Sequence, residues 1–206
     1  MMGRSNTIAI ALLFVLSCLA APVLAGVPTE QIKSTVDKAL VVLKDPRLKP
    51  AAKTRERRDQ LRQILYARFD FAEMARRALG SNWRRRTPQE QAEFVPLFTE
   101  VLERAYADII ESYIDDKIKI VYLNERVDGN FADINSKILT GKGEEYSLNY
   151  KAHLVGGEWK VYDVVAENIS LVNNYRSQFT RVISNASYEE LVRRLKNKAD
   201  FTAPKP

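Results

Sequence analysis

The stretch YSLNYKAHLVGGEWKVYDVVAE, residues 146–167, establishes the fold class because it combines two strand patterns with a turn between them. Its first half alternates apolar and polar side chains, which is the period of a strand with one buried face. Gly156 and Gly157 supply the positive φ angles that a two-residue hairpin turn favours. The second half, residues 159–166, carries apolar side chains on both faces. The pattern predicts an antiparallel hairpin.

Two more strand patterns precede this hairpin. Apolar and polar residues alternate at residues 118–122, and residues 131–139 form a second candidate. A turn that contains Gly141 and Gly143 then leads into the hairpin. We therefore predict about four antiparallel strands in one curved sheet.

The segments on either side of the predicted sheet follow the 3.6-residue period of α-helices. The clearest helix start is TPQE at residues 87–90, a capping box with proline at the first helical position. This helix is predicted to run to about Tyr113 and to be kinked at Pro96. Helical segments that precede and follow a meander sheet in the sequence predict an α+β protein, with the curved sheet packed against helices. Further helical stripes lie at residues 32–43, 61–65, 71–79, 171–183 and 191–198.

The first 25 residues have the features of a secretory signal peptide. Arg4 precedes an apolar run at residues 8–19, and small residues lead to a cleavage position after Ala25. The run is shorter than the ~20 residues of a membrane-spanning helix, and the residues before Cys18 are a poor lipidation signal. We expect an exported, periplasmic protein with a single domain at residues 26–200 and a flexible tail at residues 201–206.

Side chains that could carry catalysis or bind metal are scarce. The chain has one histidine, His153, and its one cysteine lies in the predicted signal peptide, so we predict neither a metal site nor a cofactor. His153 shares its predicted strand face with polar residues and is expected to face solvent. Asp163 is expected to lie among apolar side chains, where a carboxylate can act as a base or form an ion pair. Arg176 in the following helix is the expected partner of such a pair.

Positive charge is concentrated between Lys44 and Arg86, where 14 Lys and Arg residues accompany only 5 Asp and Glu residues. Such an excess favours an anionic surface or an acidic partner, although any single arginine is also typical of a solvated helix face. The residues that we expect to dock with a partner are Arg55, Arg57, Arg58, Arg84, Arg85 and Arg86.

The predicted elements carry more apolar surface than two packed layers require. The long helix that begins after residue 87 has an apolar face wider than the ~100° that one core contact needs. Residues 159–166 are apolar on both strand faces. Either the core is large or it encloses a cavity for an apolar ligand, and the pattern leaves both possibilities open.

Two long stretches are more specific than any short motif: FDFAEMARRALGSNWRRRTPQEQAEF at residues 69–94 and EWKVYDVVAENISLVNNYRSQF at residues 158–179. Both resemble the MlaC/toluene-tolerance family of periplasmic phospholipid-binding proteins, and the resemblance extends over about residues 29–195. It implies a fold like that of nuclear-transport-factor-2-like proteins, with an apolar pocket between sheet and helices. It implies neither enzyme activity nor a bound metal or cofactor.

The resemblance also implies a function and partners. A member of the family would hold the acyl chains of a phospholipid in the pocket and carry lipid between outer-membrane and inner-membrane complexes. The implied partners are the substrate-binding ring of an inner-membrane ABC transporter and an outer-membrane lipoprotein–porin complex, and not nucleic acid. The alternatives are a carrier of hopanoids or other apolar lipids, a small enzyme with Asp163 as its base, and a structural adaptor with a filled core.

The surplus apolar faces predict which residues line such a pocket. They come from the long helix, from the second strand of the hairpin, and from the beginning of the helix that follows it. The predicted lining residues are Phe98, Val101, Leu102, Tyr106, Val161, Val165, Ile169, Val172 and Tyr175.

Overall fold

The structure is a computed structural model that describes residues 27–112, 117–197 and 201. The predicted signal peptide, the end of the predicted long helix at Tyr113 and the last five residues of the predicted tail lie outside the described residues.

Six α-helices occur in the described ranges. None of these helices has both the length and the apolar composition that crossing a bilayer requires. The helices are α1 (Pro28–Lys44), α2 (Thr54–Arg68), α3 (Phe71–Leu79), α4 (Pro88–Ser112), α5 (Leu171–Asn185) and α6 (Tyr188–Lys196). Short 3-10 turns lie between α1 and α2, at Pro46–Leu48 and Ala51–Lys53, and between α3 and α4, at Gly80–Arg85.

Between α4 and α5 the described chain forms one antiparallel sheet with the strand order β1-β2-β3-β4-β5. The sequence predicted four strands, and the fifth is a two-residue strand that is too short to show an alternating pattern. Glu167 and Asn168, at φ 47° and 64°, form the turn that leads into it. The strands are β1 (Lys119–Asp128), β2 (Phe131–Leu139), β3 (Glu145–Val155), β4 (Glu158–Ala166) and β5 (Ile169–Ser170).

Local sequence accounts for where three of the helices begin. Asp70 accepts a hydrogen bond from the backbone N–H of the third residue of α3 at 2.9 Å. At α4, Thr87 Oγ1 accepts from the Glu90 N–H at 3.2 Å, and the Glu90 carboxylate accepts from the Thr87 N–H at 2.7 Å. At the start of α6, Ser187 Oγ accepts a hydrogen bond from the Glu190 N–H at 3.2 Å. These bonds satisfy donors that a helix start leaves free, which confirms the predicted capping box at α4. Helix α4 then continues through Pro96.

A β-bulge in β4 changes which side chains share a face. Strict alternation would place Asp163 on the same face as Val161. In the structure Val161 pairs with Ala152 and Asp163 pairs with Lys151, so that Tyr162 is left without a partner on β3. Cross-strand partners share a face, and the extra residue therefore moves Asp163 to the opposite face from Val161. The prediction that Asp163 lies on that apolar face is wrong for this reason.

The buried apolar residues form two clusters rather than one. The helical cluster lies among α3, α4, α5 and α6, and the sheet cluster lies between α1 and one face of the sheet. The helical cluster contains Met74, Ala75, Ala78, Leu79, Phe94, Phe98, Val101, Leu102, Tyr162, Val172, Tyr175, Phe179, Tyr188, Leu191 and Leu195. The sheet cluster contains Ile32, Ala132, Ile134, Tyr150, Ala152, Trp159 and Val161.

The segment between α2 and α3 connects the two clusters. Phe69 packs against both of them and pairs with Val161 through an isolated parallel bridge. The Asp70 N–H donates to the Val161 carbonyl at 2.8 Å, and Arg68 Nη1 donates to the Trp159 carbonyl at 2.8 Å. One edge of β4 pairs with β3. The segment between α2 and α3 pairs with the opposite edge at Val161, and it therefore holds the helical cluster beside that edge.

Candidate functional site

The helical cluster contains six of the nine predicted lining residues. The ring of Phe98 on α4 meets the rings of Tyr175 and Phe179 on α5 edge to face, with centroids 5.4 Å and 5.5 Å apart. The spacing of apolar residues along α4 and α5 turns these side chains toward each other. Five of the six are buried in the cluster and the sixth, Tyr106, packs against it; the five are Phe98, Val101, Leu102, Val172 and Tyr175.

The other three predicted lining residues lie elsewhere. Val161 is fully buried in the sheet cluster. Val165 is half-buried and follows the bulge, so it lies on the face that carries Asp163. Ile169 belongs to β5 and is 37% exposed, whereas the sequence placed it at the start of the following helix. The structure thus groups the α4 and α5 residues and separates them from the three strand residues.

Two tyrosines carry the polar atoms of the predicted lining. Tyr175 is fully buried, and its hydroxyl has no hydrogen-bond partner among the residues that the structure describes. Burial raises the pKa of Tyr175, with a smaller contribution from the neighbouring Tyr106. Burial also raises the pKa of Tyr106 to about 12, with a further contribution from the charge of Asp163. Both phenols therefore keep their protons at neutral pH and act as neutral hydrogen-bond donors.

Asp163 anchors the start of α5. Its side chain is buried, with one carboxylate oxygen accepting from Ser170 Oγ at 2.6 Å and the other from the Val172 N–H at 3.0 Å. Ser170 in turn accepts from the Asn173 N–H at 3.0 Å and so caps the helix. A negative charge at a helix N-terminus is favourable. Each oxygen of Asp163 is engaged in a bond that joins β4 to β5 and α5.

Arg176 is not the partner of Asp163. Its Nε donates to the backbone carbonyl of Arg77 at 2.7 Å, near the end of α3. A Cβ on Gly80 would lie at an ordinary van der Waals distance of 3.5 Å from the Arg176 side chain, so it is the positive φ of 56° that favours glycine at this position. The predicted ion pair between Asp163 and Arg176 is therefore wrong, because each residue has a different hydrogen-bond partner.

His153 is part-buried, whereas its strand pattern predicted a residue facing solvent. Its Nε2 lies 3.0 Å from an oxygen of Asp70, the residue that caps α3. Its ring stacks on Phe131 and meets Tyr162 edge to face. The helix that follows Asp70 packs on this part of the sheet and covers the histidine, which a strand pattern alone does not reveal.

The sheet face beneath α1 is buried at one end and partly open at the other. On β2, Ala132 and Ile134 are buried, whereas Ile138 farther along the strand is half-buried. On β3, Ala152 is buried and Leu148 is half-buried. The sequence prediction of the pocket did not include these half-buried apolar residues, although the alternation of both strands indicated their face.

The same sheet face contains two polar atoms without a partner. The hydroxyl of Tyr122 and the indole Nε1 of Trp159 are both buried, and neither forms a hydrogen bond within the described part of the chain. Burial raises the pKa of Tyr122, so this phenol is also protonated at neutral pH. Unpaired buried donors are uncommon in proteins, which marks this face as a second region where a ligand or water could bind.

Three of the six arginines expected to dock with partners have structural contacts instead. Arg57 is 8% exposed and donates to the Leu48 carbonyl at 2.6 Å. Arg57 and Arg58 both form ion pairs with Glu111, at 3.1 Å and 3.0 Å. Arg86 lies over the ring of Tyr188 at 4.5 Å. Helix packing buries Arg57 of α2 against α4 and the preceding turn, so its charge does not lie on the surface that a partner would meet, and the docking role of the other arginines stays a prediction.

The remaining three arginines extend into solvent. The side chain of Arg55 is 96% exposed and lies 3.9 Å from Asp59. Arg84 and Arg85 are exposed at the end of the turn between α3 and α4, and neither has an ion pair or hydrogen bond within the described residues. All three side chains reach solvent, where another molecule could contact them.

Open depressions occur on the surface of the described residues. One, of about 530 Å³, lies along α1 between Asp37, Leu40 and Lys44. Another, of about 470 Å³, lies on the sheet near Asn124 and Asn149. Neither is lined by any of the nine predicted residues. Within residues 27–112, 117–197 and 201, no group of three or more His, Cys, Asp or Glu side chains is arranged to hold a metal ion.

Comparison with known families identifies the chain. The family model described as "MlaC protein" matches residues 33–197, which include both stretches that the sequence singled out. The chain belongs to the MlaC family. The predicted family is thereby confirmed, over most of the predicted domain.

Two curated proteins are similar to this MlaC-family chain. The intermembrane phospholipid transport system binding protein MlaC of Haemophilus influenzae is 26% identical over 137 residues, which are 65% of this chain and 63% of that protein. The match thus spans less than two thirds of that protein's length. The toluene tolerance protein ttg2D of Pseudomonas putida is 25% identical over 158 residues, 76% of this chain and 73% of its own length.

A solved structure shares the fold of the MlaC-family chain. It is a phospholipid-binding protein from Ralstonia solanacearum in complex with a phospholipid. The TM-score is 0.72 at 27% identity, and the match covers 83% of this chain and 96% of that one. This likeness confirms the predicted α+β class, with a curved antiparallel sheet and packed helices.

Proposed function

We propose that this protein is a periplasmic phospholipid carrier that holds acyl chains in its apolar interior while the lipid moves between the two membranes. The observation that carries the proposal is the similarity in fold to a protein with a bound phospholipid, at 27% identity. Membership of the MlaC family and the likeness to an intermembrane phospholipid transport protein support the same function.

The division of the apolar core supports a site between its two halves. A domain of this size commonly has one contiguous core, whereas here Phe69 packs against two separate clusters. Each cluster also has apolar side chains that are only half-buried: Tyr106 packs against the helical cluster and Leu148 against the sheet cluster. We propose that acyl chains enter between the helical cluster and the sheet.

The physical chemistry of the cargo accounts for the need for a carrier. Each methylene that leaves water contributes about 0.8 kcal/mol, so two chains of about 16 carbons oppose release by about 25 kcal/mol. Lipid cannot cross an aqueous compartment alone at such a cost. Transfer from a bilayer to an apolar protein interior exchanges one hydrocarbon environment for another and is nearly balanced. The direction of transport must therefore come from the partners.

The proposed location and partners follow from the family. The predicted signal peptide would place the chain in the periplasm, with a substrate-binding ring of an inner-membrane ABC transporter on one side and a lipoprotein–porin complex on the other. Arg55, Arg84 and Arg85 are the exposed charges that could dock with such partners. We do not assign Asp163 a catalytic role, because both of its oxygens accept hydrogen bonds that hold α5 in place.

Lipid extraction tests the proposed function. The purified protein is extracted with organic solvent, and the extract is analysed by mass spectrometry before and after reloading with phospholipid vesicles. We expect phospholipid in a stoichiometric amount. Protein that contains no lipid and takes none up from vesicles would rule out the carrier function.

Two Val→Trp variants locate the site. Val101 is buried in the helical cluster, whereas Val41 on α1 is 70% exposed. Val101→Trp fills the proposed site and strains the packing by about 1–3 kcal/mol, so it should fold with reduced lipid occupancy. Val41→Trp is the matched control and should keep full occupancy. Equal occupancy in the two folded variants would move the site away from the helical cluster.

A further inference from the structure

The hydroxyl of Tyr175 is a buried donor without an acceptor. The residue is fully buried, and no atom of the described residues accepts a hydrogen bond from its hydroxyl. Two other buried polar side chains of this region are satisfied: both oxygens of Asp163 accept hydrogen bonds, and the Tyr188 hydroxyl donates to the Glu90 carbonyl at 3.2 Å. An unsatisfied buried hydroxyl is unfavourable in a folded protein, so its presence points to a partner that the protein chain does not supply.

The surroundings of Tyr175 define the chemistry of that partner. Phe98 lies 5.4 Å and Phe179 5.7 Å from its ring, so the phenol is embedded in apolar side chains. Burial keeps the hydroxyl protonated, and it therefore offers a hydrogen to an acceptor. The charge of Arg104 also acts on the phenol, but the rings in contact with it are apolar, and a neutral oxygen attached to hydrocarbon is the acceptor that costs least to bury there. The carbonyl oxygen of an acyl ester has this chemistry.

The position of Tyr175 along the site agrees with an ester. The residue lies in the second turn of α5, next to the half-buried Tyr106 and close in sequence to the exposed Ile169 of β5. The neighbouring Tyr106 is itself only half-buried, so Tyr175 lies beside a part of the helical cluster that reaches toward the surface. In a diacyl lipid the esters join the headgroup to the chains, and they would lie at this depth if the headgroup stayed in solvent.

We propose that the Tyr175 hydroxyl donates a hydrogen bond to an ester carbonyl of the bound lipid, so that the site selects acyl-ester lipids over lipids with ether-linked chains. This inference rests on the proposed carrier function and adds a polar determinant to an otherwise apolar site. Tyr175 would fix the depth at which the lipid is held, and the headgroup would contribute little to recognition.

A pair of lipids that differ only in the linkage tests the inference. Dipalmitoyl phosphatidylglycerol and its dihexadecyl ether analogue have the same headgroup and similar chains, and only the first has carbonyl oxygens. Their relative affinities are measured by competition for a fluorescent phospholipid bound to the delipidated protein. The wild type should prefer the ester lipid by about five- to tenfold, which corresponds to one hydrogen bond. Tyr175→Phe should bind both lipids equally.

Thermal stability separates this role from a structural one. Tyr175→Phe removes no hydrogen bond from the lipid-free protein, so its melting temperature should equal or exceed that of the wild type. Tyr188→Phe is the matched control: it loses the bond to Glu90, should melt at a lower temperature, and should keep the preference for the ester lipid.

The outcomes that overturn the inference differ from those that overturn the carrier function. A wild type that binds the two lipids equally refutes the role of Tyr175 and leaves the carrier function standing. A wild type that binds neither lipid refutes both. If Tyr122→Phe, which alters the unpaired phenol of the sheet face, abolishes the preference and Tyr175→Phe does not, the ester lies on the sheet face and the assignment to Tyr175 is wrong.

Discussion

Asp163 shows how much of the architecture can depend on one buried side chain. Its two oxygens hold Ser170 and the first turn of α5 against β4. Its position on this side of the sheet results from the bulge at Tyr162. The first N–H groups of a helix have no backbone acceptor within the helix. The Asp163 carboxylate accepts a hydrogen bond from one of them, the Val172 N–H, in a buried position that water does not reach.

Substitution of Asp163 should therefore lower stability. Asp163→Asn removes the charge from two hydrogen bonds and should reduce the free energy of unfolding by about 1–3 kcal/mol. Arg176→Met loses a separate bond, to the Arg77 carbonyl, and should cost about 1 kcal/mol. Because the two side chains share no partner, the double variant should show the sum of both losses to within about 0.5 kcal/mol. Urea unfolding of the four proteins measures this.

The double variant discriminates between two structural assignments. A double variant that loses less free energy of unfolding than the sum of the two single losses would show that Asp163 and Arg176 interact. That result would support the ion pair that the structure contradicts. An Asp163→Asn protein as stable as the wild type would show that the bonds to Ser170 and Val172 contribute nothing, and it would reopen a chemical role for this carboxylate.

At the scale of elements, α6 is a short helix that depends on its end interactions. A nine-residue helix is marginal on its propensity alone. Ser187 caps its start, and Leu191 and Leu195 attach it to the helical cluster. The Glu190 carboxylate accepts hydrogen bonds from Arg193 and Arg194, each at 2.7 Å. These bonds to two guanidinium groups lower the pKa of Glu190 to about 2.

Acid should weaken α6 within a defined pH range. A carboxylate whose pKa is depressed in the folded state stabilises the fold above its ordinary pKa of 4.5, and the contribution is lost as the pH falls toward about 2. Glu190→Gln should therefore melt below the wild type at pH 6, and the two melting curves should converge by about pH 2. Circular dichroism melts at a series of pH values measure the difference.

The pH-dependent melts need a control variant in which a carboxylate away from α6 is replaced. Asp128→Asn, at the exposed end of β1, is such a control and should differ little from the wild type at either pH. A constant difference between Glu190→Gln and the wild type over the whole range would contradict the assignment of the stabilising charge to Glu190.

At the scale of the whole molecule, basic residues of the same segment have two different roles. Arg57 lies inside the fold, and Arg84 and Arg85 extend from the turn between α3 and α4. The net charge of +6 sets the general sign of the surface. Its effect on a partner depends on the charges that reach solvent, since long-range attraction acts mainly on the rate of association.

Charge reversal should separate docking from stability. Arg84→Glu combined with Arg85→Glu should slow association with the proposed inner-membrane substrate-binding complex by about tenfold at low salt, with the melting temperature and the lipid uptake unchanged. Stopped-flow or surface plasmon resonance at several salt concentrations measures the rate. The difference from the wild type should shrink as salt increases, because screening acts over ~8 Å at physiological ionic strength.

Arg57→Met provides the contrasting variant. It removes a buried guanidinium that bonds to the Leu48 carbonyl and to Glu111, so it should lower the melting temperature. Its association rate should stay that of the wild type under conditions where it is folded. Wild-type association that does not depend on salt would argue against docking through Arg84 and Arg85.

Much of the fold could be read from local patterns. The hairpin of β3 and β4 and the capping box at Thr87 were predicted because each depends on residues close in sequence. The two-residue β5 and the bulge at Tyr162 were not predicted. A bulge is stabilised by the pairing of two strands and by the helices that cover them, and neither leaves a periodic signal in one strand.

For the candidate site, the sequence alone established which residues are apolar and on which helix faces they lie, so Phe98, Val101 and Tyr175 were grouped correctly. Only the tertiary structure showed that Val161 lies in the other cluster and that Arg57 is buried. It also showed that Asp163 accepts hydrogen bonds from Ser170 and Val172. Periodicity sets the direction in which a side chain leaves its own element. Which partner it meets depends on how distant elements pack, and a charged group takes the partner that packing brings within hydrogen-bond distance.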